Sequence, residues 1–364
     1  MKVLIGNIFE SKASTIVNTV NCVGVMGKGI ALEYKKRYPL MFREYAELCK
    51  KGLVKVGKPY LYRDMTGLSI LNFPTKDHWR SPSKLSYIIE GLDWFVENYE
   101  KFGIRSIAFP PLGCGNGGLT WEVVAPVMYQ KLRDLPISIE IYAPFGTNPK
   151  HLTIDYLEKQ TAVSKEITGT AFGQYNSNWN LILYVVQELS KGKYTLYVGR
   201  TIFQKICYAL TRCGVQTGFS FTKGAYGPYS AQIKSAVTQM SNANLIQEQS
   251  CGKMLRLIVT PRFTFDSSSM NQSEQNAVNK TIDLFSRVKN TDHAEMIATV
   301  LYAYDCLEKE EKPVSDLSLY RFVMDWKKRW NPGKHAAVCD TILNLAMLGW
   351  IQVAISHELK YAEE

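Results

Sequence analysis

Three stretches of the chain combine residue types that could do chemistry. Residues 18–31 read NTVNCVGVMGKGIA, a β-rich run that passes through glycines into a helical pattern. Residues 109–121, FPPLGCGNGGLTW, repeat that arrangement with four glycines in the loop. Glycines let the backbone approach a ligand closely, and a helix start offers unpaired N–H groups and a dipole that favours anions. Two such loops after two strands of one open sheet would meet at its carboxyl edge and suit a diphosphate held by backbone amides. Neither loop ends in the Lys-Ser/Thr pair of a nucleoside triphosphate loop, which argues against phosphoryl transfer. The third stretch, LNFPTKDHWR at 71–80, is a strand stopped by Pro74 and followed by ionisable and aromatic groups. A neutral lysine amine attacks carbon, so Lys76 is a candidate nucleophile or base. Taken alone, Lys76 is an ordinary solvated charge, and Asp77 with His78 an ordinary capping or surface pair.

Elements must carry these loops to one place. Residues 2–8, 15–20, 60–63, 68–73, 104–109 and 137–142 have strand character, and 29–37, 40–51, 85–101 and 121–133 helical character. This alternation predicts an α/β fold with helices on both faces of a mixed, largely parallel sheet. In the helix at 85–101, Leu85, Ile88, Ile89, Leu92, Phe95 and Val96 fall on one stripe, which faces the sheet. The alternation ends near residue 148, and Thr, Ser, Gly and Asn clusters follow. The expected division is a first domain over 1–150, a connector over 151–180 and a second domain over 181–364. The second domain is mainly helical (181–190, 201–212, 230–241, 275–289, 293–308, 318–330 and 341–348), with β-like runs at 218–222 and 254–260. It reads as winged-helix-like, with a Tyr226-Gly227-Pro228 signature between its helices.

Composition excludes several classes. With 46% hydrophobic and 21% charged residues, the chain is neither disordered nor fibrous. Its 43 Lys and Arg against 33 Asp and Glu give a net charge of +10, spread over both halves, which favours encounter with polyanions. The eight cysteines form no CxxC pair and no zinc spacing, so no metal site is expected and the thiols suit a reducing compartment. The run MKVLIGNIF is too short for a signal peptide or a membrane span. The expectation is a cytoplasmic protein without a membrane partner.

Together, GNIF at 6–9, IVNTVNCVGVMGKGIALEYKKRYP at 16–39, LNFPTKDHWR at 71–80 and PPLGCGNGGLTWEVV at 110–124 resemble the macrodomain family. Within that family they are most similar to DarG-type DNA ADP-ribosyl glycohydrolases, which remove ADP-ribose that a DarT-type toxin has attached to a base in single-stranded DNA. The resemblance covers about the first 150 residues. It implies an ADP-ribose site without a cofactor, in which Asn21 faces the distal ribose and the loop Gly27, Lys28, Gly29 runs along it. Gly113, Cys114, Gly115, Asn116, Gly117 and Gly118 would wrap the diphosphate, and Lys76 would stand near the anomeric carbon. Gly6, Asn7 and Ile8 look like the adenine turn, with Tyr142 or Phe145 to stack on the purine.

The chain departs from the family's pattern at two positions. Asn7 stands where macrodomains commonly have Asp, so the adenine amino group would meet a neutral carbonyl. Gly117 stands where relatives that clear protein glutamates carry Asp, so Lys76, as base or nucleophile, would lack that acid/base partner. His78, Trp79 and Arg80 sit beside the lysine, where they could stack on a splayed base and pair with phosphate; Trp79 could equally be a lid over the core. By resemblance, the carboxyl-terminal domain would bind and restrain the toxin, and the acidic stretch Glu308 to Glu311 could meet a basic surface there. Thymidine is the first expectation for the modified base and guanosine the second. A non-catalytic ADP-ribose reader and an antitoxin acting only by sequestration are the competing readings.

Overall fold

The computed structural model describes residues 1–65, 67–159, 176–191, 196–251, 254–310, 312–330, 333–356 and 359. Contacts divide the chain into two units, Met1–Tyr175 with Lys234–Leu245, and Asn176–Ile233 with Ile246–Glu364. Of the expected connector, residues 160–175 lie outside the described residues.

The first unit is built on six strands: β1 (Lys2–Leu4), β2 (Thr15–Val20), β3 (Tyr60–Arg63), β4 (Ser69–Pro74), β5 (Ser106–Phe109) and β6 (Ser138–Tyr142), in the order β1-β6-β5-β2-β4-β3. Only β3 runs antiparallel to its neighbour; the remaining pairs are parallel. The loops after Leu4, Val20, Pro74, Phe109 and Tyr142 therefore all open at one edge of the sheet. Parallel strands bury both faces, and the side chains divide with a period of two. Ile16, Val20 and Ile70 face a core shared with α1 (Gly29–Arg37) and α2 (Pro39–Lys50), while Val17, Leu71 and Phe73 face α3 (Leu85–Asn98) and α4 (Trp121–Leu132). The stripe on α3 turns inward as its spacing demands, with Ile88, Leu92 and Phe95 fully buried.

Element ends differ from the pattern where local hydrogen bonds intervene. The run 2–8 stops as a strand at Leu4, because Asn7 Oδ1 accepts from the Phe9 N–H at 3.1 Å and starts a short 3-10 helix at Ile8–Glu10. Strand β5 begins at Ser106 and not at 104, since the Ile104 N–H is committed to the Tyr99 carbonyl at 3.0 Å and closes the end of α3.

The second unit holds α5 (Trp179–Lys191), α6 (Arg200–Arg212), the hairpin β7 (Thr222–Gly224) and β8 (Gly227–Tyr229), and the hairpin β9 (Ile246–Cys251) and β10 (Met254–Val259). Helix α7 (Gln232–Asn242) lies between the hairpins in sequence, yet its residues from Lys234 onward count with the first unit. Helices α8 (Gln272–Ser286), α9 (Thr291–Leu307), α10 (Asp316–Trp326) and α11 (His335–Met347) complete the second unit. Of the β-like run 218–222 only Thr222 is strand. Phe219 is instead buried against Trp179, ring centroids 5.7 Å apart, and the Ser220 N–H finds the Gln232 side chain at 2.8 Å. The helix expected over 318–330 ends at Trp326, where Lys327 turns inward to Glu295.

The tail of β4, which carries Lys76, is set by one close approach. A Cβ on Gly91 of α3 would lie 2.4 Å from Phe73 Cζ, and Phe73 is fully buried. Only glycine lets α3 seat this closely on the sheet. Gly91→Ala gains helix propensity of up to about 1 kcal/mol, against overpacking of about 1–3 kcal/mol. The expected net result is a lower urea midpoint at unchanged denaturant slope, and a midpoint at or above the parent's would show that Phe73 yields freely.

Candidate functional site

The loop after β2 is organised by Asn21, whose side chain is almost wholly buried. Its Oδ1 accepts from the Val23 N–H at 3.0 Å, its Nδ2 donates to the Val25 carbonyl at 2.6 Å, and the Tyr45 hydroxyl reaches its backbone carbonyl at 2.7 Å. Asn21 thus shapes the turn that delivers Gly27, Lys28 and Gly29, all exposed, to the sheet edge. Gly29 opens α1 with φ +58°, and Lys28 before it makes no side-chain cap to the first-turn N–H groups of α1, the kind of position at which a helix receives an anion.

The loop after β5 is folded on itself. The Leu119 N–H returns to the Gly113 carbonyl and the Gly118 N–H to the Gly115 carbonyl, each at 3.1 Å, around a 3-10 turn at Gly115–Gly117. Gly113, Gly115 and Gly118 adopt φ of 71°, 68° and 83°, which side chains rarely tolerate. The two glycine loops meet: a Cβ on Gly29 would lie 3.0 Å from Asn116 Nδ2. Cys114 is the half-buried residue at the start of this turn, its thiol pushed up to about 12 by burial. Burial pushes the Cys22 thiol up to about 12 as well, so neither sulfur is a nucleophile near neutral pH.

The loop after β4 is tied to the loop after β2 by main-chain hydrogen bonds, Thr75 N–H to the Val20 carbonyl at 3.0 Å and Cys22 N–H to the Asp77 carbonyl at 3.1 Å. This places Lys76 against the glycine loop, where its Nζ donates to the Asn116 carbonyl at 2.7 Å. Its Cε is 3.9 Å from where a Cβ on Gly117 would stand. The three stretches separated in sequence are one cluster in space.

Beside the lysine, Asp77 accepts from the His78 N–H at 2.6 Å and His78 Nδ1 from the Arg80 N–H at 3.2 Å. Trp79, 45% exposed, has the His78 ring stacked 5.6 Å away and the Arg80 guanidinium 4.5 Å from its centre. The indole is therefore flanked by both neighbours, with nearly half of its surface open.

At the far end of the edge, Asn7 is exposed and caps the turn that buries Ile8. Tyr142 is 8% exposed, its ring beside Gly6 and its hydroxyl on Glu140 Oε2 at 3.1 Å. Phe145, just beyond, is 81% exposed and is the ring more open to a planar ligand. Tyr45 and Glu140, which fix the loop after β2 and the ring of Tyr142, escape notice in the sequence. One is an apolar-face helix residue, the other an alternating strand residue, and neither spacing marks a site.

The Macro domain family profile matches residues 17–128. A DNA ADP-ribosyl glycohydrolase of Mycobacterium tuberculosis is 36% identical over 243 residues, covering 65% of this chain and 66% of that protein. The chain thus spans about two thirds of the length of such curated relatives. Among solved structures, the macrodomain of Mycobacterium tuberculosis DarG is 46% identical, covering 39% of this chain and 97% of that one, with a TM-score of 0.38. Thermosipho africanus DarTG in complex with ADP-ribose is 40% identical, covering 43% and 45%, with a TM-score of 0.41. With the profile match lying over β2 to α4 and the curated relatives sharing its sequence, the chain belongs to the macrodomain family.

Proposed function

We propose that the chain is the antitoxin of a DarT/DarG-type pair and hydrolyses ADP-ribose from a base, thymidine first, in single-stranded DNA. The observation that carries this reading is the lysine amine seated on the Asn116 carbonyl at the meeting of two glycine loops. The loop from Gly113 to Gly118, through the amides other than those of Cys114 and Gly118 that its own turns use, and the start of α1 hold the diphosphate, and Gly27 to Gly29 line the distal ribose. Gly6 to Ile8 and Tyr142, with Phe145 beyond, receive the adenine. Such a fixed frame brings the scissile bond to the lysine. Hydrolysis adds water across the bond between the anomeric carbon and the base nitrogen: the hydroxyl ends on carbon and the proton on the base. Lys76 serves this either as a nucleophile, displacing the nucleobase to form a bond at the anomeric carbon that opens to an imine and is then hydrolysed by water, or as the base that takes the proton of the attacking water. The curated relatives carry the name of this activity, and no described helix is long and apolar enough to cross a membrane. Action in the cytoplasm is part of the same reading.

Lys76→Ala should lower release of ADP-ribose from a modified oligonucleotide by roughly 10²- to 10⁴-fold while leaving free ADP-ribose affinity nearly unchanged. Retained turnover would refute the role, and a wild-type chain that binds without release would be a reader. Borohydride added during turnover should leave a stable adduct on the Lys76 peptide if the amine is the nucleophile, and none if it is the base. Trp79→Ala should raise KM for the DNA substrate by the worth of one stacked base, about 1–3 kcal/mol, with binding of free ADP-ribose kept. Unchanged KM would leave Trp79 without a part in DNA binding.

Residues 181–364 are proposed to bind the toxin. The hairpin β7–β8 presents Tyr226 and Tyr229 at 61% and 49% exposure on a rigid base, as recognition surfaces do. Full-length Lys76→Ala chain co-expressed with a DarT-type toxin should still co-purify with it, since sequestration needs no chemistry. Failure of the toxin to co-purify would remove this half of the proposal.

A further inference from the structure

Lys76 rests on a loop that is itself held from behind. Ser83, fully buried, donates its N–H to the Gly117 carbonyl at 2.9 Å. Its Cβ would come within 3.1 Å of a Cβ on Gly113 and of one on Gly117, and its Oγ within 2.5 Å of the latter. Gly117 lacks a left-handed φ, so its backbone would accept a side chain; the obstacle is the Ser83 hydroxyl. Among the described residues that hydroxyl is buried without a hydrogen-bond partner. An unpaired buried hydroxyl opposes stability, so what Ser83 Oγ contributes is contact with Gly117. Behind Ser83 stands Asn242, in the part of α7 that counts with the first unit. Its Oδ1 accepts from the Leu85 N–H at 2.7 Å and its Nδ2 donates to the Ser83 carbonyl at 3.2 Å. The line runs from Asn242 through Ser83 to Gly117 and, one residue along, to the Asn116 carbonyl on which Lys76 Nζ sits.

We infer that Ser83, backed by Asn242, is a positioning residue of the lysine site: its hydroxyl fills the space behind Gly117 and sets how far the Asn116 carbonyl stands from the Lys76 amine. This rests on the lysine's proposed role, although the contact itself does not. Removing the hydroxyl frees the 115–117 turn to relax toward position 83, and the amine loses the carbonyl that covers it. Volume at the contact is then what counts, whichever side supplies it.

The test uses the full chain and four variants: Ser83→Ala, Asn242→Ala, Gly117→Ala, and Ser83→Gly combined with Gly117→Ala. Expected for Ser83→Ala are an unfolding temperature no lower than the parent's, ADP-ribose affinity within about twofold, and kcat down about tenfold. Lys76 acetylation by limiting acetic anhydride, read by mass spectrometry, should rise several-fold against Lys28 as the internal standard. Asn242→Ala should move kcat and acetylation in the same direction. Gly117→Ala alone should also lose kcat, and the double variant should recover much of it. Parent-like acetylation and kcat in Ser83→Ala would overturn the inference, as would a joint fall of stability, affinity and turnover. A parent chain that releases no ADP-ribose would instead defeat the glycohydrolase reading, and the acetylation ratio would still decide the role of Ser83.

Discussion

The structure depends on the common direction of β1, β6, β5, β2 and β4. Because these strands are parallel and adjacent, every loop that leaves a strand end arrives at the same edge, so the glycine loops and the lysine cannot be parted without breaking the sheet. Two main-chain hydrogen bonds beyond the strand ends, Thr75 to Val20 and Cys22 to Asp77, extend that constraint to the lysine. Lys76 therefore gets its position from backbone pairing and needs only its own side chain to reach Asn116.

Rigid and permissive parts are divided sharply at this edge. The floor is packed tightly enough that α3 needs a glycine to clear Phe73. The rim is polar and spends its side chains on its own shape, Asn21 on the turn at 23–25 and Asn7 on the cap at Phe9. What is left to face a ligand is mostly backbone. Backbone amides recognise a diphosphate by geometry, so a site of the kind proposed does not need the net charge of +10 gathered at it.

Much of this was legible in the sequence because it is local. Strands 15–20 and 60–63 and the helix 29–37 have the observed bounds, since β-branched alternation, Gly29 and Tyr38-Pro39 mark them in the chain itself. The meeting of Lys76 with Asn116 was legible only as a consequence of strand order, which repeating β and α patterns imply. What could not be read was any bond between distant side chains of ordinary type. Tyr45 on the Asn21 carbonyl, Glu140 on Tyr142 and Asn242 on Ser83 leave no spacing to detect. The end of the helix expected at 330 was lost for the same reason: nothing near Trp326 shows that Lys327 has a buried partner in Glu295.

That partner belongs to a charge cluster which explains the Tyr226-Gly227-Pro228 turn. Glu295, 4% exposed, accepts from Lys327 and Arg329 at 2.7 Å each, and both cations also donate to the Ala225 carbonyl, at 2.8 and 2.9 Å. Lys205 donates to the Pro228 carbonyl at 2.7 Å, its ammonium lowered to about 8 by burial. Burying so many charges is a poor way to gain stability, because desolvation offsets most of the attraction. What the cluster does supply is donors to both ends of one turn, at the exposed Ala225 and at Pro228, whose buried backbone calls for a partner. The hairpin tip is thereby fixed before any partner arrives, with Tyr226 under the Arg329 guanidinium at 5.0 Å, and a surface fixed in advance loses less entropy on binding than one that must be ordered.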